Sequence, residues 1–226
     1  ELRGYEYTRE PSAVSGQPWI RYDSTRPTVW RLPLRYAVQP ALAVTAPATG
    51  YFVPSAHAAW MSEKLALHGI DFQRVIAPQP ASAVQTFRAD KTTTAVETFE
   101  GRSLMTVDGA WRDETRNIGP GALFVPIAQP KARLVMSLLE PQAPDSFVSW
   151  GYFSTAFERK EYMENYVTEA VARQMLSQDP ALKAEFERRL REDAAFAGNP
   201  GARLEFFYRR HPSWDERYGL YPVYRQ

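Results

Sequence analysis

Apolar and polar positions alternate with period two along much of the first half of the chain. Trp19-Ile20-Arg21-Tyr22 and Thr28-Val29-Trp30-Arg31-Leu32 read as strands, and Asp23-Ser24-Thr25-Arg26-Pro27 between them reads as a turn. Pro33, Pro40 and Pro47 follow, and they predict edge strands or extended connections, because proline cannot donate to a sheet ladder. Residues 1–50 are therefore expected to form β-hairpins. Gly50-Tyr51-Phe52-Val53 reads as a short apolar strand. A helix should open at Pro54-Ser55-Ala56, with Ser55 as its N-cap, and stop at His68-Gly69, where glycine suits a left-handed terminus. Residues 70–76 return as a strand and complete a β-α-β unit. Alternation resumes over 84–88, 94–99 and 103–107, and Asp108-Gly109 carries the signal of a hairpin turn.

An internal echo links two of these stretches. Phe52-Val53-Pro54-x-Ala56 returns as Phe124-Val125-Pro126-x-Ala128. Each copy follows a glycine, places proline at a helix start, where its missing N–H costs nothing, and precedes an apolar stretch. Two pseudo-symmetric β-α elements in one layer are expected, although so short a match also arises by chance.

After residue 150 the period changes to that of helices. Residues 157–178 read as one amphipathic helix, with Met163, Val167, Val171 and Met175 four apart on one side. Asp179-Pro180 should cap and open a second helix, whose Leu182, Phe186 and Leu190 share a face and which should break at Gly198-Asn199-Pro200. An aromatic, arginine-rich strap follows from Leu204 to Asp215. No Gly/Ser tract separates helices from strands. The expected fold class is therefore α+β, with a mixed or antiparallel sheet, β-α units and a helical C-terminal layer. A single domain is expected over 1–226: hairpins over 1–50, the β-α sheet region over 50–150, and helices with the aromatic strap over 151–226.

Composition narrows the chemistry. Of 226 residues, 44% are apolar and 23% charged, the balance of a folded chain. The net charge of +1 gives no overall electrostatic footprint for nucleic acid. No apolar run is long enough to cross a bilayer. There is no cysteine, which excludes disulfides, thiolate metal sites and cysteine nucleophiles.

The three histidines, His57, His68 and His211, limit what metal or acid–base chemistry can be built. His68 with Asp71 is the nearest approach to a ligand pair, but Gly69 between them ends the helix, and a histidine beside terminal carbonyls is the more ordinary role. His57 sits in a first helical turn, a poor place for a cation, and is expected to be neutral and partly buried. Glu140, between an apolar helix and Pro141, reads either as a buried carboxylate or as a helix-end residue. Glu161, Glu164, Glu185 and Glu187 read as solvated helix faces. No Gly-x-Ser-x-Gly, no phosphate-binding glycine loop and no complete active site is legible. The densest polar and aromatic cluster is Arg210, His211, Trp214 and Asp215. Its functional reading is a peptide-carboxylate or anion contact, made by guanidinium forks against an indole wall. Its structural reading is a strap whose rings pack on the core while its arginines pair with acidic helices.

Several phrases together resemble a known family. They are Tyr51-Phe52-Val53-Pro54, Leu67-His68-Gly69-Ile70, Leu138-Leu139-Glu140-Pro141, Asp145-Ser146-Phe147-x-x-Trp150 and Glu161-Tyr162-x-x-x-Tyr166-Val167-x-Glu169-x-x-Ala172. Arg203 through Asp215 and Tyr221-Pro222-Val223-Tyr224-Arg225 belong with them. These resemble the region downstream of the catalytic domain in large bacterial zinc metallocarboxypeptidases of the carboxypeptidase A-like kind, over most of the chain from about residue 4. The resemblance implies an exported parent protein, periplasmic or secreted, that removes C-terminal residues from peptides. It implies zinc in the parent peptidase domain, held by a His-x-x-Glu pair and a later His. No histidine of this chain is followed by x-x-Glu. No catalytic or metal residue is carried over, and no cofactor is expected within this chain. The implied partners are the parent's own peptidase domain and a peptide substrate, with no nucleic acid and no membrane span. Glu1 would then mark a cleavage or an excision boundary. A self-standing peptide- or anion-binding domain is the alternative.

Overall fold

A computed structural model describes residues 1–40 and 42–226. Two compact units divide them, Glu1–Ala43 and Val44–Gln226.

In the first unit, strands β1 (Leu2–Pro11) and β2 (Pro18–Trp30) form an antiparallel ribbon. It turns at Ser12, whose Oγ accepts the amides of Val14 and Ser15. The stretch expected as the turn, Asp23 to Pro27, lies inside β2 as a bulge: Tyr5 pairs with Pro27 and Glu6 with Asp23. Asp23 Oδ1 accepts from the Thr25 amide and hydroxyl, which folds the extra residues out of the ladder without reversing the chain.

The second unit is built on a six-stranded sheet. Its strands are β3 (Gly50–Val53), β4 (Gln73–Arg74), β5 (Gln79–Phe99), β6 (Arg102–Ile118), β7 (Leu123–Pro126) and β8 (Leu220–Arg225), in the order β4-β7-β3-β8-β5-β6. Every neighbouring pair is antiparallel. Helix α1 (Ser55–Leu67) joins β3 to β4, and α2 (Ala132–Leu139) follows β7. Because β3 and β4 both run antiparallel to β7, they are parallel to one another, with β7 between them. Likewise β7 and β8 flank β3. Two split β-α-β units thus interlock. The sequence echo falls on their first strands: Phe52 pairs with Phe124, ring centroids 5.0 Å apart, about a local two-fold axis. The fold class is α+β, as expected, and its sheet is wholly antiparallel.

One face of the sheet carries the main core. Tyr51, Val53, Leu123, Val125, Tyr221 and Val223 project there. They meet Ala58, Met61 and Leu65 of α1, which fall three and four apart on one stripe, and Val135, Leu138 and Leu139 of α2. On the other face Phe52, Val75, Val84, Ile118 and Ala122 make a smaller cluster.

Helices α3 (Asn165–Gln178), α4 (Pro180–Glu192), α5 (Ala194–Ala197) and α6 (Pro200–Tyr208) form the C-terminal layer. Asp179, Asp193 and Asn199 cap the last three, each accepting a backbone N–H three residues on. Their own core gathers Ala172, Leu182, Phe186, Phe196, Phe206 and Phe207.

Several expectations need correction. Pro54, not Ser55, occupies the N-cap of α1, without a side-chain cap. The return strand over 70–76 shrinks to Gln73–Arg74. Asp108-Gly109 is not a turn. Gly109 lies mid-strand in β6, where a Cβ would fall 2.1 Å from the Arg88 carbonyl oxygen, so glycine serves close strand approach. The chain reverses instead at Glu100-Gly101, both at positive φ, and three predicted strands become one long hairpin. The helix over 157–178 begins only at Asn165, and Thr168 and Ala172 are its buried residues, one position away from the expected row. The second helix breaks at Asp193, ahead of Gly198. The strap is helical through Tyr208.

Candidate functional site

Glu140 closes α2 and is 3% exposed. Four side-chain donor contacts converge on its carboxylate. Arg225 of β8 donates through Nε to Oε1 at 2.9 Å and through a terminal nitrogen to Oε2. The Tyr51 hydroxyl of β3 donates to Oε1 at 2.5 Å, and Trp111 Nε1 of β6 to Oε2 at 3.3 Å. The Arg225 guanidinium lies 4.1 Å from the Trp111 ring centroid, and Tyr221 donates to the Leu139 carbonyl. Burial first, and the neighbouring carboxylate second, push the Tyr51 hydroxyl far above its ordinary pKa, so it remains a donor. With every oxygen engaged, this is a closed buried pair that ties α2 to three strands. Of the two sequence readings, the buried carboxylate is the one realised.

The open chemistry lies elsewhere, where β5 leaves β8. At Asp90 the ladder slips between Ala89 and Lys91, and the Ala89 amide bonds the Gly219 carbonyl at 2.8 Å. Beside this bulge is a cleft of about 170 Å³. Trp214, Tyr218 and Phe157 give it an aromatic wall, and Arg88, Lys91, Arg112 and Arg209 enter from β5, β6 and the end of α6. Trp214 is half-buried, edge-on to Tyr208 and to Tyr218 with centroids 5.1 and 5.7 Å away. Arg209 and Arg159 lie 5.3 and 5.6 Å from its ring centroid.

The four sequence candidates therefore part company. Trp214 lines this cleft. Arg210 turns to the helical core: it lies 3.8 Å from the centroid of Phe206, bonds the Phe206 carbonyl and pairs with Glu185 at 2.8 Å. His211 Nδ1 pairs with the Ser213 hydroxyl at 2.8 Å. Asp215 accepts from the amide and Nε of Arg217, and that amide chiefly holds its carboxyl below the usual range. Lys91 and Arg112, which sequence reading missed, join the cleft only through the β5–β6 pairing.

The remaining histidines are dispersed. His57 is half-buried against Phe153 and Trp60, and burial lowers its pKa, in line with a neutral ring. The His68 carbonyl receives the Lys131 ammonium, while Asp71 is held through its backbone by Gln129. Among the described residues no group of three or more His, Asp or Glu is arranged to hold a metal ion. Nor is any helix among them long and apolar enough to cross a membrane. Compared with known proteins, the chain is matched by no protein-family model, no curated protein and no solved structure.

Proposed function

We propose that this chain is the non-catalytic C-terminal module of a zinc metallocarboxypeptidase-like peptidase, exported from the cytoplasm, which supports the peptidase domain or shapes the approach to its cleft. One observation carries this reading: several of the phrases that resemble the family supply buried frame residues of the second unit, while Leu67, Tyr162 and Tyr166 of two other phrases lie exposed. Leu139 and Glu140 come from one of the former, Phe147 from a second, and Tyr51, Tyr221 and Arg225 from two more; all six are buried. Phe206, Phe207 and Tyr208, from a further phrase, are buried as well. Buried residues shared in this way are what a common domain with an architectural role would retain. Zinc and the hydrolytic residues belong, on this reading, to the peptidase domain of the parent protein.

Two measurements test it. The sequence encoded ahead of Glu1 should contain a His-x-x-Glu pair and a later His. The purified 226-residue chain should leave C-terminal peptide bonds intact and retain no stoichiometric zinc after dialysis. Hydrolysis of carboxypeptidase substrates by the isolated chain, or an upstream sequence without the pair, overturns the proposal.

A further inference from the structure

We infer that the cleft between the Asp90 bulge and Trp214 is a binding site for a peptide carboxylate, with Lys91 and Arg112 as the residues that hold it. Charge, access and shape point the same way. Four cationic side chains line the cleft, against one carboxylate, Asp90. They are not equally free. Arg88 is neutralised by Glu114 at 2.8 Å, and Arg209 by Glu205. Arg112 reaches Asp90 only at 3.7 Å, and both side chains are more than half exposed. Lys91 stands opposite Asp108 in the ladder, yet forms no ion pair among the described residues. Lys91 therefore faces the small concavity without an ion-pair partner among the described residues, and Arg112 with only a long, exposed one.

The aromatic wall selects among anions. A free inorganic ion gains nothing from Trp214, Tyr218 and Phe157. A carboxylate attached to an apolar residue places its oxygens on the Arg112 fork and the Lys91 ammonium and its side chain on the rings. The volume of about 170 Å³ suits one residue, not a folded surface. The bulge makes the geometry possible: an unbroken ladder past Ala89 would not set Asp90 apart from the pairing on either side. This inference does not depend on the peptidase reading, since it uses only residues of this chain.

A terminal carboxylate and an acidic side chain supply the same chemistry, and the assay separates them. Titration calorimetry of the full chain is run with acetyl-Ala-Ala-Phe, with its C-terminal amide, and with acetyl-Ala-Glu-Ala-amide. Binding of the first with loss of about tenfold or more in the second assigns a chain terminus. Binding of the third at least as tight as the first assigns an acidic side chain. Lys91→Gln and Arg112→Gln should each weaken the bound peptide by about tenfold, with unchanged melting temperature because both side chains lie at the surface. Arg217→Gln, whose exposed side chain pairs with Asp215 outside the cleft, should leave affinity alone. The inference is overturned if no peptide binds at millimolar concentration, if the amide binds as well as the acid while the glutamate peptide does not bind, or if both cleft variants bind as tightly as the parent.

Discussion

Replacing Arg225 with Met tests the closed ion pair directly. The thioether fills much of the guanidinium's volume but leaves the Glu140 carboxylate, 3% exposed, with only Tyr51 and Trp111 as side-chain donors. Breaking a buried pair by removing one partner costs about 3–5 kcal/mol, because the remaining charge is uncompensated. For a unit of this size each kcal/mol moves the melting temperature by about 2–4 °C, so a fall of about 6–20 °C is expected. Against a typical net stability of about 5–15 kcal/mol the loss is large but survivable. Removing both charges, as Glu140→Leu with Arg225→Met, should cost less than the sum of the single changes. A coupling of about 0.5–3 kcal/mol is expected, since the double variant strands only the Tyr51 hydroxyl and the Trp111 N–H. Thermal unfolding followed by circular dichroism, with urea titrations of the single and double variants, measures both quantities. An Arg225→Met chain that melts within about 2 °C of the parent would refute the reasoning, and so would additive single changes.

Other expectations follow from the same packing. Burial alone would raise the Glu114 carboxyl, but hydrogen bonds from Arg88 and Arg116 outweigh it and hold the pKa at about 2. The folded value thus lies below the unfolded one, so this group's stabilisation is present above about pH 4.5 and lost as pH falls towards 2; Arg88→Met should flatten that acid limb in pH-dependent urea midpoints. Phe207, 3% exposed with its ring centroid 4.7 Å from that of Phe186, should cost about 3–5 kcal/mol as Phe207→Ala. Arg210→Ala removes a half-exposed ion pair with Glu185 and the stack on Phe206, should cost about 1–2 kcal/mol, and differential scanning calorimetry of the two variants orders them. Gly109→Ala should destabilise the long hairpin by about 1–3 kcal/mol, with the loss of protection in hydrogen exchange centred on β5 and β6.

Local chemistry made part of this fold legible and hid the rest. Pro180 at a first helical position behind the Asp179 cap writes that helix start into two letters, and Asn199-Pro200, read as a break, caps and opens α6 by the same chemistry. Gly69, at φ +62°, marks the end of α1 as glycine should. The Phe-Val-Pro echo pointed to two related β-α elements, and Phe52 and Phe124 do pair, but only Pro54 stands at a helix start: Pro126 closes β7, and α2 opens later, at Ala132. Where a residue's role is set by a distant segment, the letters mislead. Gly109 looks like a turn residue until Arg88 is seen to press against it. Pro222 argues against a central strand, yet it sits where the β5–β8 register slips and no ladder donor is required. Glu140 was open between two readings because its partners come from β3, β6 and β8. Of the proposed binding cluster, Trp214 lines the cleft, while Arg210, pointed to by its charge, stacks on its own helix. Lys91 and Arg112 carry no local signal at all.

The position of β8 has a consequence for how the chain is made. Its six residues, Leu220–Arg225, lie between β3 and β5 in the middle of the sheet, yet they leave the ribosome after both strands they pair with. Until they emerge, β3 presents an open ladder edge, and Glu140 has no guanidinium to meet. The nascent chain must therefore carry an unfinished sheet through the synthesis of all four C-terminal helices, which have a separate core and can condense first. Unpaired strand edges of this kind are what holding chaperones bind and what neighbouring chains capture. The sheet of the second unit thus stays incomplete until one short strand closes two ladders and brings Arg225 to Glu140.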